Sequence, residues 1–250
     1  MKHLRFESEG RTLVGVWDEE AGRIRAEDGR SYRGEEVRWL PPVAPRTVVG
    51  CVLNYADHAE ELGLERPKEP TLFLKPLSSL SGHLDPIVYP KGAEYMHYEV
   101  ELAVVIGKRA RRLTPKTAMD HVGGYTIAND VTVRDFVTNT FRPPVKAKGF
   151  DTFGPLGPWT VDRDDIPDPY DLGLRAYVNG ELRQEGHTSR LQFRIPEILT
   201  FVTAFMTLEA GDVVLTGTPK GLSHIRPGDE VRLEIDGIGA LVNPVMEETP

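Results

Sequence analysis

The sequence predicts a β-rich α+β fold, and three observations predict it. Short apolar or alternating runs recur along the chain, turn residues interrupt them at close intervals, and only one segment carries a long helical apolar stripe. The clearest hairpin signals are Asn179-Gly180 and Asp236-Gly237, each set between alternating runs. The helical stripe starts near Pro196 and puts Ile198, Leu199, Val202, Phe205 and Met206 on one face, with Gly211 closing the turn after it.

In chain order, Leu13 to Trp17 and Arg23 to Ala26 read as short strands, the second ending before a turn at Asp28-Gly29. Pro41-Pro42-Val43-Ala44-Pro45 is a stiff linker, which divides a small N-terminal β domain, residues 1–45, from a larger domain, residues 46–250. Val48 to Leu53 reads as a buried strand, Asn54 to Leu64 as a short helical segment, and Thr71 to Leu74 as another strand. Tyr98 to Ile106 is the strongest strand signal, and Tyr125 to Val131 is a further one. Between them, Thr114-Pro115 has the form of a helix start, a capping side chain followed by proline at the first helical position.

Composition narrows the function classes. With 40% hydrophobic and 27% charged residues, the chain is an ordinary globular protein. It has no apolar run of about 18 residues, so no membrane span is expected. The first seven residues lack the apolar core of a signal peptide, and the single Cys51 excludes an internal disulfide, so a cytoplasmic protein is expected. A net charge of −8 disfavours nucleic acid and anionic membrane as partners, while leaving a small anionic substrate open, because one local cation reverses the sign inside a cleft.

Five segments carry chemistry. Glu99 and Glu101 stand two apart in a strand and project from the same face. Two adjacent buried carboxylates are expensive without compensation, and oxygen-only ligation suits Mg²⁺, Mn²⁺ or Ca²⁺; a solvated edge strand is the alternative. Asp130, at a strand end, reads either as a third oxygen ligand or as a helix cap. His58 and Glu61 fall three apart, one helical turn, a spacing at which a carboxylate orients an imidazole; an exposed surface pair is the alternative. Lys148 sits in a Gly- and Pro-flanked loop that reads either as a fixed ammonium near an anion or, by default, as a solvated basic loop, and the Leu215–Gly221 segment, with Gly217 and Thr218, offers backbone N–H groups and hydroxyls to a carboxylate. Cys51 reads as a packed core thiol and His97 as a supporting or structural residue. Neither a nucleophile elbow nor a dinucleotide fingerprint occurs.

Together and in this order, these segments resemble the fumarylacetoacetate hydrolase superfamily over residues 46 to 245. The matching stretches are Asn54–His58, Phe73–Pro76, Tyr98–Leu102, Asn129–Asp135, Lys148–Thr152 and Leu215–Gly221. The resemblance implies a mixed β-roll with few helices, usually a homodimer. It implies that Glu99, Glu101 and Asp130 ligate Mg²⁺ or Mn²⁺, that Lys148 is the catalytic lysine, and that His58 and Glu61 form a dyad carried on a lid. Lys75, Gly217 and Thr218 are taken as substrate-binding. Glu94–Glu99, Val178–Gln184 and Phe205–Leu208 resemble the homoprotocatechuate (4-hydroxyphenylacetate) branch. That branch isomerises 2-hydroxyhepta-2,4-diene-1,7-dioate or decarboxylates its tricarboxylate precursor by way of an enolate. Acylpyruvate hydrolases, which with oxaloacetate decarboxylases are the alternative inside the family, usually place a glutamine where this chain has Phe136-Val137. A non-catalytic metal-binding scaffold is the alternative outside it. A dicarboxylate substrate needs a second anion site, for which Arg142, stiffened by two following prolines, is the candidate; a surface arginine before a turn is the equal alternative.

Overall fold

The protein was described from a computed structural model, which covers residues 1–61, 63–137 and 144–249. A large mixed sheet runs, edge to edge, through Ser31–Tyr32, Arg23–Ala26, Arg11–Asp18, Lys2–Ser8, Gly154–Asp162, Val122–Asn129, Val100–Ile106, Val213–Leu215, Val48–Val52 and Thr71–Leu74. Two short strands, Arg38–Leu40 and Leu80–Ser81, attach to it at the side. A second sheet orders Glu181–His187, Gly173–Val178, Glu230–Ile235, Gly239–Glu247 and Ile87–Tyr89. The helices are few: α1 (Ala56–Glu61), α2 (Val145–Lys148) and α3 (Ile195–Phe205) are the α-helices among the described residues. None is long and apolar enough to cross a membrane.

The expected strands and both hairpins are present, since Val178 and Glu181 flank Asn179-Gly180, and Ile235 and Gly239 flank Asp236-Gly237. Two expectations need correction. No α-helix starts at Thr114-Pro115; the chain makes a 3-10 turn at Ala118–His121, because Arg112 and Leu113 are already bonded to Thr203 of α3 and leave room for one turn only. Phe205 does not join the buried face of α3 but is 60% exposed, being the last residue of the helix and lying past the packed turn of Ile198, Leu199 and Val202.

The N-terminal strands continue the large sheet, because Lys2 and His3 pair with Val161 and Thr160. They keep a core of their own, formed by Leu4, Phe6, Leu13, Ile24 and Trp39. All three tryptophans meet at this junction. Trp17 stacks on Trp159 at 5.6 Å, Trp39 lies 6.3 Å from Trp159, and His83 sits edge-on to Trp39 at 5.2 Å.

The strand Val100–Ile106 decides where the site lies. All seven residues are buried. Val100, Leu102, Val104 and Ile106 enter the main core between the two sheets, whereas Ala103 faces a smaller cluster with Val48, Phe73, Ala128, Leu156, Val213 and Leu215. This is the two-residue alternation of a strand covered on both faces. The smaller side is the one that Glu101 and Glu99 share with Ala103.

Candidate metal centre

The cluster is assembled by register. Val100 pairs with Asn129 in the antiparallel ladder, so the next pair outward sets Glu99 opposite Asp130, and the Asp130 N–H donates to the Glu99 carbonyl at 3.1 Å. Glu101 stands two residues along the same face. A cross-strand neighbour plus an i, i+2 neighbour makes a triangle, and the carboxylate oxygens of Glu99, Glu101 and Asp130 lie within 4.8 Å of one another. All three side chains are buried. Asp130 therefore belongs to the carboxylate cluster and caps no helix.

Two lysines enter from other elements. The α2 turn delivers Lys148, whose Nζ donates to Glu99 Oε2 at 2.9 Å, Asp130 Oδ2 at 2.5 Å and Thr132 Oγ1 at 2.8 Å, using all three ammonium donors. Lys75 follows the strand Thr71–Leu74; its Nζ donates to Asp130 Oδ1 at 2.6 Å and to the Lys148 carbonyl at 2.7 Å. Lys75 is buried, with its ammonium on the protein's own groups, so it supports Asp130 and the Lys148 backbone rather than standing at a substrate surface. Burial lowers the Lys148 ammonium, but Asp130 and Glu99 outweigh it and hold its pKa above the ordinary value. At Lys75 burial wins, and the pKa is lowered.

The ammonium groups stand against Glu99 and Asp130, whereas Glu101 has no salt-bridge partner among the described residues. Its Oε2 accepts from Gly217 N at 2.6 Å. Burial, then Asp130 and Glu99, push its carboxyl well above the usual carboxylate range. Glu99 goes the other way: burial raises it, but Lys148, His97 and Arg134 bring it down to about 2. Converging buried carboxylate oxygens, one set of them without a cationic partner, suit a hard divalent cation, so the donor set fits the metal that the sequence implied. Glu99, Glu101 and Asp130 are the residues that would hold it.

Around the cluster, His97 is fully buried, and its pKa is pushed down to about 3 by burial, against the pull of Glu99. Arg134 Nε donates to His97 Nε2 at 2.7 Å, which leaves the ring proton on Nδ1, 3.1 Å from the Tyr98 carbonyl. The other arm of Arg134 reaches within 3.6 Å of Glu99 Oε1, and 27% of its side chain remains exposed. Sequence reading passed over Arg134, although it sits four residues after Asp130.

The dyad is formed. His58 is buried on α1, and its Nδ1 lies 3.1 Å from Glu61 Oε2. The other oxygen of Glu61 accepts from Gly221 N at 2.9 Å, tying α1 to the loop that carries Gly217 and Thr218. Asn54 anchors the same region from beneath: its side chain donates to the Thr216 and Phe193 carbonyls and accepts from Phe193 N. Thr218 is buried beside that loop's contact with Glu101. Lys148, Lys75, Glu99, Glu101 and Asp130 thus meet in one cluster, with His58, Glu61, Gly217 and Thr218 joined to it through the loop. Arg142 lies outside the described residues.

The fumarylacetoacetate (FAA) hydrolase C-terminal family model matches residues 47–246. The 4-hydroxyphenylacetate degradation bifunctional isomerase/decarboxylase of Salmonella dublin is 49% identical over 216 residues, 86% of this chain and 50% of that protein, so this chain spans about half the length of that relative. The 5-carboxymethyl-2-hydroxymuconate delta-isomerase of Mycobacterium smegmatis superposes with a TM-score of 0.89 and 38% identity, covering 100% of both chains. The maleylpyruvate hydrolase of Sphingobium sp. SYK-6, in complex with manganese(II) and pyruvate, superposes with a TM-score of 0.85 and 29% identity, again over 100% of both chains. With the acidic cluster, the lysine and the His–Glu dyad in place, these matches establish that the chain belongs to the fumarylacetoacetate hydrolase family.

Proposed function

We propose that this protein is a Mg²⁺- or Mn²⁺-dependent isomerase or decarboxylase of 2-hydroxyhepta-2,4-diene-1,7-dioate or its tricarboxylate precursor, in 4-hydroxyphenylacetate catabolism. The observation that carries the reading is Lys148 Nζ lodged between Glu99 and Asp130, two members of the buried acidic triad. When bound, a divalent cation supplies Lewis acidity toward the carboxylate and C2 oxygen of a 2-oxo or 2-hydroxy acid.

The chain's own residues do the rest. Lys148 keeps a proton at Nζ beside the place where the C2 oxygen gains negative charge, and so stabilises that charge or returns the proton. Glu61 holds His58 through Nδ1, which leaves Nε2 as the lone pair that moves protons along the substrate. Gly217 and Thr218 receive the substrate carboxylate. Arg134 and Arg142 are the candidate cations for the distal one. Two copies form a homodimer, as the family resemblance implies; sedimentation equilibrium tests it.

The decisive experiment is a spectrophotometric panel with Mg²⁺ or Mn²⁺, on oxaloacetate, an acylpyruvate and the seven-carbon hydroxydienedioate. Turnover of the hydroxydienedioate with the highest kcat/KM is expected. Preference for the acylpyruvate or for oxaloacetate replaces the reading with a hydrolase or an oxaloacetate decarboxylase. Metal binding without turnover of any substrate leaves a scaffold.

A further inference from the structure

Gln184 bonds both to the strand of Glu99 and Glu101 and to the loop of Gly217 and Thr218. It lies in the edge strand Glu181–His187, whose residues are otherwise exposed or half-buried, yet Gln184 is 1% exposed. A bulge inverts the alternation there. Ala176 pairs with Gln184 but Tyr177 pairs with Leu182, so Arg183 is the extra residue and Gln184 turns inward. The loop is seated against this strand by close approach. A Cβ on Gly186 would lie 2.4 Å from the Pro219 ring, and one on Gly221 would meet the Arg183 carbonyl at 3.2 Å and Gln184 Cγ at 3.3 Å.

The polarity of the Gln184 amide is dictated by its neighbours. Val100 N, between Glu99 and Glu101, can only donate, and it points to Oε1 at 3.4 Å. The Pro219 carbonyl can only accept, and it receives Nε2 at 2.6 Å. With both ends assigned, the bond at 2.9 Å between Nε2 and Thr218 Oγ1 has Gln184 as donor and the hydroxyl as acceptor. A hydroxyl that accepts at its oxygen keeps its own proton to give away.

We propose that Gln184 is a positioning residue that sets the Thr218 hydroxyl as a hydrogen-bond donor toward the substrate carboxylate, while fixing the spacing between that hydroxyl and the metal-ligand strand. The inference rests on the reading of Thr218 as a substrate-binding residue. It makes Gln184 a determinant of affinity for the carboxylate, with no role in holding the cation.

The test is a double-mutant cycle on Mn²⁺-loaded protein, with pyruvate as probe and its dissociation constant read from the Mn²⁺-induced relaxation of the methyl protons. Gln184→Met is expected to weaken pyruvate by about tenfold, the effect of one hydrogen bond, with the Mn²⁺ dissociation constant from calorimetry unchanged. Gln184→Glu, of the same shape, is expected to weaken it at least as much, because its carboxylate claims the Thr218 proton; it also serves if the Met variant fails to fold. In a Thr218→Val background neither substitution should weaken pyruvate further. Losses that add in the double variants, or a Gln184→Met protein that binds pyruvate normally, overturn the proposal. If Thr218→Val alone binds pyruvate normally, the Thr218 reading has failed, and the role of Gln184 falls with it.

Discussion

Two groups of three acids occupy this molecule, and they behave differently. Asp162, Asp164 and Asp165 gather near the amino terminus, where the Met1 ammonium pairs with Asp162 and Asp165 and Arg163 pairs with Asp164; their side chains are 38%, 83% and 53% exposed. Glu99, Glu101 and Asp130 are buried, with two buried lysines among them. Water solvates the first group, and its ion pairs contribute little. In the second group each carboxylate needs a partner inside the protein, and Glu101 has no cation against it among the described residues. A count of acids does not mark a candidate metal site; a buried carboxyl left without a cation does.

Substitutions in the buried triad break this comparison with the largest effect. Asp130→Asn and Glu101→Gln should each lower Mn²⁺ affinity and turnover by on the order of 10³-fold, as removal of one partner from a buried charge network does. The two should part company without metal. Asp130→Asn leaves Lys75 and Lys148 short of a counter-charge and should lower the melting temperature, whereas Glu101→Gln removes a buried carboxyl that folding must hold protonated and should raise it. Calorimetry for affinity and thermal melts of the metal-free proteins check both, and matching shifts in melting temperature would refute the charge assignment.

The dyad comes next. His58→Ala should lower kcat by about 10²–10⁴-fold and change KM far less, since its role is proton transfer. A variant that keeps its kcat and merely binds substrate more weakly makes His58 a positioning residue.

The third prediction concerns the N-terminal junction. His83 accepts from Val242 N at 3.0 Å, and burial, then Arg232, lowers its pKa from the ordinary 6.5 to about 4. The unfolded chain takes up the proton near pH 6.5 and the folded one resists it until about 4. Stability is therefore complete above the first value, and on the order of 3 kcal/mol is lost as pH falls to the second. Melts of wild type and His83→Asn between pH 7.5 and 4 should converge toward the acid end; parallel curves count against a neutral buried imidazole.

The smallest effect belongs to the exposed acids. Asp164→Asn should move stability by no more than about 0.5 kcal/mol and leave Mn²⁺ affinity unchanged. A loss of affinity there would mean that the field of the surface reaches the site.

Most of the site was legible where the signal was local. Glu99 and Glu101 announce themselves by spacing two in an apolar strand, and His58 and Glu61 by spacing three. Asp130 stayed ambiguous between ligand and cap because the register that sets it opposite Glu99 is a long-range property; only the family resemblance selected the ligand. Lys75 was recognised as part of the site and misread in role, since nothing in Phe73–Pro76 says that its ammonium lies under Asp130. Gln184 had no local signal, because a bulge reverses the face that alternation assigns to it. Phe205 fitted the helical stripe, but periodicity does not say where the core that the helix covers comes to an end.

The tryptophan junction makes the protein its own reporter. Indole emission from this chain comes only from Trp17, Trp39 and Trp159, which share one cluster, and Trp159 lies in the strand that continues the N-terminal hairpins into the catalytic sheet. Its colour and intensity therefore record whether those hairpins are docked and are silent on events confined to the carboxylates. A spectral change on adding Mn²⁺ would have to be carried across the strand Val122–Asn129, which lies between the strand of Trp159 and that of Glu101. An unchanged spectrum beside a raised melting temperature would mean that the cation tightens the roll without moving its N-terminal wing.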